Sequence, residues 1–299
     1  MTAKQPLFFA VLLLALFCVL PQSVRAELST KTARAIITKA AGMSLPRSAV
    51  RIRQLRSVSP SEVDVAADLE LVFRMGQDEN GRWRINEIRA GQDRWESLEL
   101  VAEGADFTLA SNNCNAADVP KVSELTIKLA RCLVADLFAV NLPSDEARIK
   151  QISGLGLPLG SQGSAVVVTL VQVDFRLQKR ADVWQATDFR SGNRGWVNIE
   201  SLPYAINERK RAIAMEDLHK VANALAAFRK DRGFFVVADK EAVVMDQLAP
   251  HYMRQVVRID PWHKPYLYSG TRDEFSLRSA GPDGKENTSD DIVLTGPAR

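Results

Sequence analysis

The chain has 299 residues, 46% of them hydrophobic and 25% charged, with 39 basic against 36 acidic side chains. That is globular composition at a length that suits two or three domains. A formal charge of +3 excludes the strongly basic field that nucleic acid or an anionic membrane surface would require.

The chain opens with Lys4, an apolar run from Leu7 to Leu20, then Pro21 and Val24-Arg25-Ala26. A basic start, a 14-residue apolar core and small residues at −3 and −1 describe a secretory signal peptide over residues 1–26. The run is short for a membrane span, which needs about 20 apolar residues. Cleavage after Ala26 is expected, with an uncleaved inner-membrane anchor as the alternative. Phe17 before Cys18 is too bulky for a lipoprotein cleavage site. Cleavage removes Lys4 and Arg25 and leaves 37 − 36 = +1. Cys114 and Cys132 then remain, either as one disulfide or as a loop thiol and a buried helix thiol. Cys132 lies on the apolar face of its helix, which favours the unbonded state.

Residues 27–204 match themselves. Ala33-Arg34, Leu45-Pro46 and Arg51 to Leu55 recur as Ala130-Arg131, Leu142-Pro143 and Arg148 to Ile152, at an offset of 97. Phe73-Arg74 recurs at 102 as Phe175-Arg176, and Trp83, Arg89 and Trp95 recur at 101 as Trp184, Arg190 and Trp196. The gain in offset coincides with a glycine-rich stretch, Gly154 to Gly163, that reads as a longer loop. This predicts a tandem duplication, with repeat 1 over residues 27–115 and repeat 2 over 116–204.

Each copy opens with a helix, Thr32 to Ala41 in the first and Val119 to Val140 in the second, where Asp118 before Pro120 marks the start. Leu-Pro then stops it. Val63, Val65, Ala67, Leu69, Leu71 and Phe73 alternate with mostly polar neighbours, as do Val167, Thr169, Val171, Val173 and Phe175. That is the period of a half-buried strand. A turn at Asp78 to Gly81 leads into a strand from Arg82 to Arg89, with a counterpart from Asp182 to Arg190. The fold class is α+β: a helix on a curled antiparallel sheet, twice, followed by a separate head.

Trp83 and Trp184 read as sheet-packing residues. Arg89 and Arg190 read as carboxylate partners or solvated strand ends. The three histidines, His219, His251 and His263, all lie late in the chain, so neither repeat holds an imidazole. No nucleophile elbow, P-loop or dinucleotide fingerprint occurs, so no nucleotide partner and no enzyme activity are expected. A hydrolase with its site in a repeat cup is the remote alternative.

From Ala205 an amphipathic helix with the stripe Met215, Leu218, Ala222, Leu225 and Phe228 runs to Arg232-Gly233. Leu248, Pro250 and Tyr252 suggest a short helix or loop. Beyond them, Asp283, Glu286, Asp290 and Asp291 fall within nine positions, beside Asn287, Thr288 and Ser289. Such crowding repels unless water or a cation screens it. Ca²⁺, which takes six to eight oxygens, is one reading, and a solvated hairpin loop is the other.

Taken in order, Asp231-Arg232-Gly233-Phe234-Phe235, Asp260-Pro261-Trp262, Pro265-Tyr266 with Tyr268, Phe275 to Ser279, Gly281-Pro282-Asp283-Gly284 and Asp290-Asp291-Ile292 form a specific string. It resembles the C-terminal head of the major pseudopilin of type II secretion systems, over residues 205–299. The resemblance implies a structural Ca²⁺, with side-chain ligands from Asp283, Asp290 and Asp291 and main-chain oxygens from Ala280 and the region of Thr288. Two departures stand out: His263 where the family usually has glycine, and Val236 where proline often follows the aromatic pair. The prepilin leader and apolar pilin helix are not seen ahead of the head, which makes the head a borrowed module. The expectation is an exported, non-enzymatic, calcium-stabilised binding or assembly protein, periplasmic or extracellular, with a protein partner in the envelope. An accessory role in the pseudopilus is the alternative, and contact with a membrane arises only if the N-terminal segment stays uncleaved.

Overall fold

The computed structural model describes residues 28–104, 114, 125–142, 145–154 and 163–297. The expected signal peptide, the expected helix start at Asp118 and most of the Gly154–Gly163 stretch lie outside the described residues. Among those described, no helix is long and apolar enough to cross a membrane.

The first half runs α1 (Thr30–Ile37), β1 (Val50–Ser59), β2 (Glu62–Gln77), β3 (Trp83–Arg89), β4 (Trp95–Ser97) and α2 (Leu98–Gly104). The second runs α3 (Ile127–Leu137), β5 (Ala147–Gly154), β6 (Ser164–Arg180), β7 (Val183–Arg190) and β8 (Val197–Asn198). Both opening helices are shorter than the apolar spacing suggests. Ser29 caps α1 by accepting from the Thr32 amide, and Thr126 caps α3 by accepting from the Leu129 amide. Such side-chain caps satisfy the amides that a helix start leaves bare. After α1 the chain leaves helical geometry, with Ala41 left-handed at φ 54°. The strands β4 and β8 and the helix α2 have no periodicity long enough to predict them.

The alternating residues of β2 and β6 form two long strands that pair antiparallel from Glu62–Gln178 to Gly76–Ser164. Val65, Leu69 and Phe73 face Phe175, Val171 and Val167 along this seam. The shift that carries Phe73 onto Phe175 (175 − 73 = 102) also carries Leu69 onto Val171, its own partner. β1 on β2 slips register between Ile52 and Gln54, and β5 on β6 slips between Ile149 and Gln151. β3 and β7 slip likewise, after Arg74 and Arg176 respectively. Bulges bend a strand and raise its twist, so equal bulges curl both ends of the sheet alike.

Where one helix on its own sheet was expected twice, the two halves share one eight-stranded sheet and one core. α1 packs against β1 and β7, and α3 against β5 and β3, so each helix also covers a strand of the other half. Ala33 and Ile37 of α1, and Ala130 and Val134 of α3, are fully buried in this joint core. A second difference concerns the cysteines: Cys114 and Cys132 are disulfide-bonded. Cys132 is only half-buried. It stands beside the buried stripe of Leu129, Ala130, Leu133 and Val134 rather than inside it, within reach of Cys114.

The remaining elements are α4 (Ser201–Arg232), α5 (Glu241–Leu248), β9 (Leu267–Gly270), β10 (Glu274–Ser279) and β11 (Ile292–Pro297). α4 is one continuous helix ended by Gly233 at φ 82°, a left-handed position that suits glycine. Its first turns bury Leu202 and Lys210 against the sheet region and α2. Its later turns bury Ala214, Leu218, Val221, Leu225 and Phe228 in a second core with Val244, Leu248, Tyr266, Tyr268 and Phe275. Met215, expected in the stripe, is exposed. Ala214 and Val221 complete the stripe instead.

Candidate functional site

The oxygen-rich loop joins β10 to β11, which pair antiparallel from Ser279–Ile292 outward. Asp260 fixes its base. This carboxylate is 3% exposed, accepts from the amides of Trp262 (3.0 Å) and Lys264 (2.8 Å) through Oδ1, and accepts from the Ser279 hydroxyl (2.6 Å) through Oδ2. The Ser279 oxygen in turn accepts from the Gly281 amide at 3.2 Å. A buried polar group is costly unless such donors satisfy it. At Gly281, φ is +62° and a Cβ would collide with the Asp290 carbonyl oxygen, so only glycine lets the two ends of the loop approach.

Within the loop, three carboxylates converge on one hydroxyl. Thr288 Oγ1 lies 2.6 Å from Asp290 Oδ1, and 3.4 Å from both Asp283 Oδ1 and Asp291 Oδ1. The Lys285 carbonyl oxygen is 3.1 Å from the same atom. Two of the carboxylates hold the backbone with their other oxygen: Asp290 Oδ2 accepts from the Asp283 amide, and Asp291 Oδ2 accepts from the Asn287 amide and Arg278. The Thr288 hydroxyl holds Asp290 below the usual carboxylate range, with help from the Asp283 amide.

One hydroxyl proton serves only one acceptor well, so the inward oxygens stay mutually repulsive. Their chemistry, all hard oxygen, fits a Ca²⁺-class ion. Among the described residues no group of three His, Cys, Asp or Glu is already drawn to metal-centre spacing; the carboxylates converge on Thr288 rather than on an open point. Of the five residues singled out in the sequence, Asp283, Asp290 and Asp291 meet here. Thr288 brings its side chain to this point, and its carbonyl accepts from the Asp291 amide at 3.4 Å. Ala280 is buried at the end of β10, next to the anchored Ser279. Two residues were given no role in the sequence reading. Arg278 bridges Asp291 and Asn287, and Asp260 holds the loop's base. Only their place in the string that resembles the pseudopilin head could have hinted at either.

The head also touches the sheet region: His263 Nε2 lies 3.2 Å from the Trp95 carbonyl oxygen, and Lys210 of α4 pairs with Glu96 at 2.6 Å. Trp262 Nε1 donates to Asn207 Oδ1 of α4 at 3.0 Å. His263 has φ +65°, in the left-handed region. That conformation costs a non-glycine residue about 1–2 kcal/mol, which accounts for glycine being usual there in the family this head resembles.

Residues 204–295 match the family model of the type II secretion system (T2SS), protein G. The match covers the head and most of α4, and agrees with a C-terminal pseudopilin head. No curated protein and no solved structure matches the chain.

Proposed function

We propose that this is an exported, non-enzymatic envelope protein whose pseudopilin-like head is a calcium-stabilised assembly module for a type II secretion apparatus. The observation that carries the proposal is the match of residues 204–295 to the T2SS protein G family, over a head whose β10–β11 loop presents converging carboxylates. Asp283, Asp290 and Asp291 would hold the ion, with main-chain oxygens near Ala280 and Thr288. Bound Ca²⁺ would relieve the repulsion among them and fix a loop that has little core of its own. A disulfide between Cys114 and Cys132 suits an oxidising compartment.

The equivalent bulges and self-consistent β2–β6 register support reading residues 28–198 as a duplicated unit. So do the stacked pairs Arg74–Trp95 and Arg176–Trp196, each at 4.3 Å. A non-catalytic role is supported by the histidines. His263 is engaged with Trp95, and His251 rests edge-on to Tyr252.

Two measurements test the proposal. Thermal unfolding in millimolar Ca²⁺ is expected to show a higher midpoint than in chelator, and an identical midpoint would rule out the ion. Cross-linking in envelope preparations that carry a type II secretion apparatus is expected to capture apparatus components through the head. Equal recovery with a chain truncated before α4 would remove the assembly role.

A further inference from the structure

A cavity of about 370 Å³ lies against the inner face of the large sheet, at the centre of its internal symmetry. Leu69, Leu71 and Phe73 of β2 and Val173 and Phe175 of β6 form its floor. Residues one repeat offset apart line it together, such as Ile88 with Phe189 and Ala90 with Ser191. Leu202 and Ile206 of α4 close one side, and Trp262 and His263 bring the head to its rim. Protein cores hold few voids larger than a water molecule. The volume instead falls in the range of small-molecule sites, which are mostly apolar with a few polar groups that set orientation.

Those polar groups are predominantly cationic. Arg94, Arg190, Arg194 and Lys210 line the cavity. Glu96 closes on Lys210 at 2.6 Å and stands 3.6 Å from Arg94. Asp174 pairs with Arg190 at 3.1 Å, and Asp136 attracts Arg194 through space. Among the described residues, the four cations lining the cavity outnumber these three carboxylates beside an apolar space. Arg94 is the group with attraction to spare: it is half-exposed, its guanidinium also donates to the Gly42 carbonyl, and the carboxylate it shares is already taken up by Lys210.

We propose that this cavity binds a single-chain amphiphile bearing one negative charge, of the fatty-acid class. The acyl chain lies along the β2–β6 floor, and the carboxylate meets Arg94. The cavity meets the β10–β11 loop at Pro282 alone and is lined by none of that loop's carboxylates.

Titration calorimetry of the purified chain with sodium dodecanoate, kept below its micellar concentration, tests this. Saturable one-to-one binding is expected. Octanoate, four methylenes shorter, should bind roughly a hundredfold more weakly, and dodecanol, which lacks the charge, roughly tenfold more weakly. Arg94→Gln should lower dodecanoate affinity roughly tenfold and leave dodecanol unchanged. Leu71→Trp, which fills the floor, should abolish binding of both. If Leu71→Trp does not fold, the half-exposed Arg94→Gln and the chain-length series decide alone. No saturable binding, equal affinity for dodecanoate and dodecanol, or indifference to Arg94→Gln overturns the proposal.

Discussion

In the sheet region, β2 and β6 lie side by side from end to end and bury one apolar face of both halves in a single core. In the head, a small core beneath α4 is completed by polar closure: Asp260 ties two segments together, and carboxylates gather around Thr288. The larger region is held by apolar area, which is non-directional and tolerates small shifts. The head depends on a few hydrogen bonds whose loss leaves buried groups unpaired. Each region should therefore fail differently, and separately unless the contacts of Lys210 and His263 couple them.

Phe73→Ala is the hardest blow to the sheet region. Phe73 is fully buried on the central seam, so its truncation is expected to cost about 3–5 kcal/mol in urea unfolding. Amide exchange should accelerate in both halves together. Acceleration confined to residues 50–104 would show that the halves do not share a core energetically. Replacing both Cys114 and Cys132 with alanine comes next. The bond closes a sequence separation of 18, for which about 3 kcal/mol is expected, read as a lower urea midpoint with head exchange unchanged.

Asp260→Ala carries the comparison into the head. Three donors lose their acceptor, and a loss of about 2 kcal/mol is expected. Exchange should quicken around β9 to β11 and leave β2 and β6 protected. Equal quickening in both regions would mean that the seam at His263 and Lys210 binds them into one unit. The smallest effect belongs to Asp290. Its folded pKa lies below the ordinary 3.8, so its contribution is present above that value and is lost as pH falls through the folded pKa. The melting difference between wild type and Asp290→Asn, measured in chelator, should be constant near neutrality and vanish in strong acid. A difference that grew on acidification would contradict the Thr288 contact.

Much of the plan was legible in the residues. The alternation from Val63 to Phe73 specified a strand, because side chains on a strand face alternate sides with period two. The stripe of Leu218, Leu225 and Phe228 and the stop at Gly233 specified α4, and the order of short strings from Asp231 to Ile292 pointed to the head. The loop's carboxylates were visible as a cluster, but their convergence on Thr288 was not. Spacing says which oxygens are near in sequence, whereas Gly281 and the Ser279–Asp260 anchor decide which way they turn.

By itself, then, the sequence determined the periodicities, the breakers and the local oxygen chemistry, all of which arise from residues a few positions apart. Tertiary structure alone decided that two similar halves share one sheet, that Cys132 meets Cys114, and that an apolar cavity with cations at its rim lies where the halves meet. These depend on pairings between segments that reach more than a hundred residues apart. Such pairings are chosen by the free energy of burying complementary faces together, which no single stretch contains.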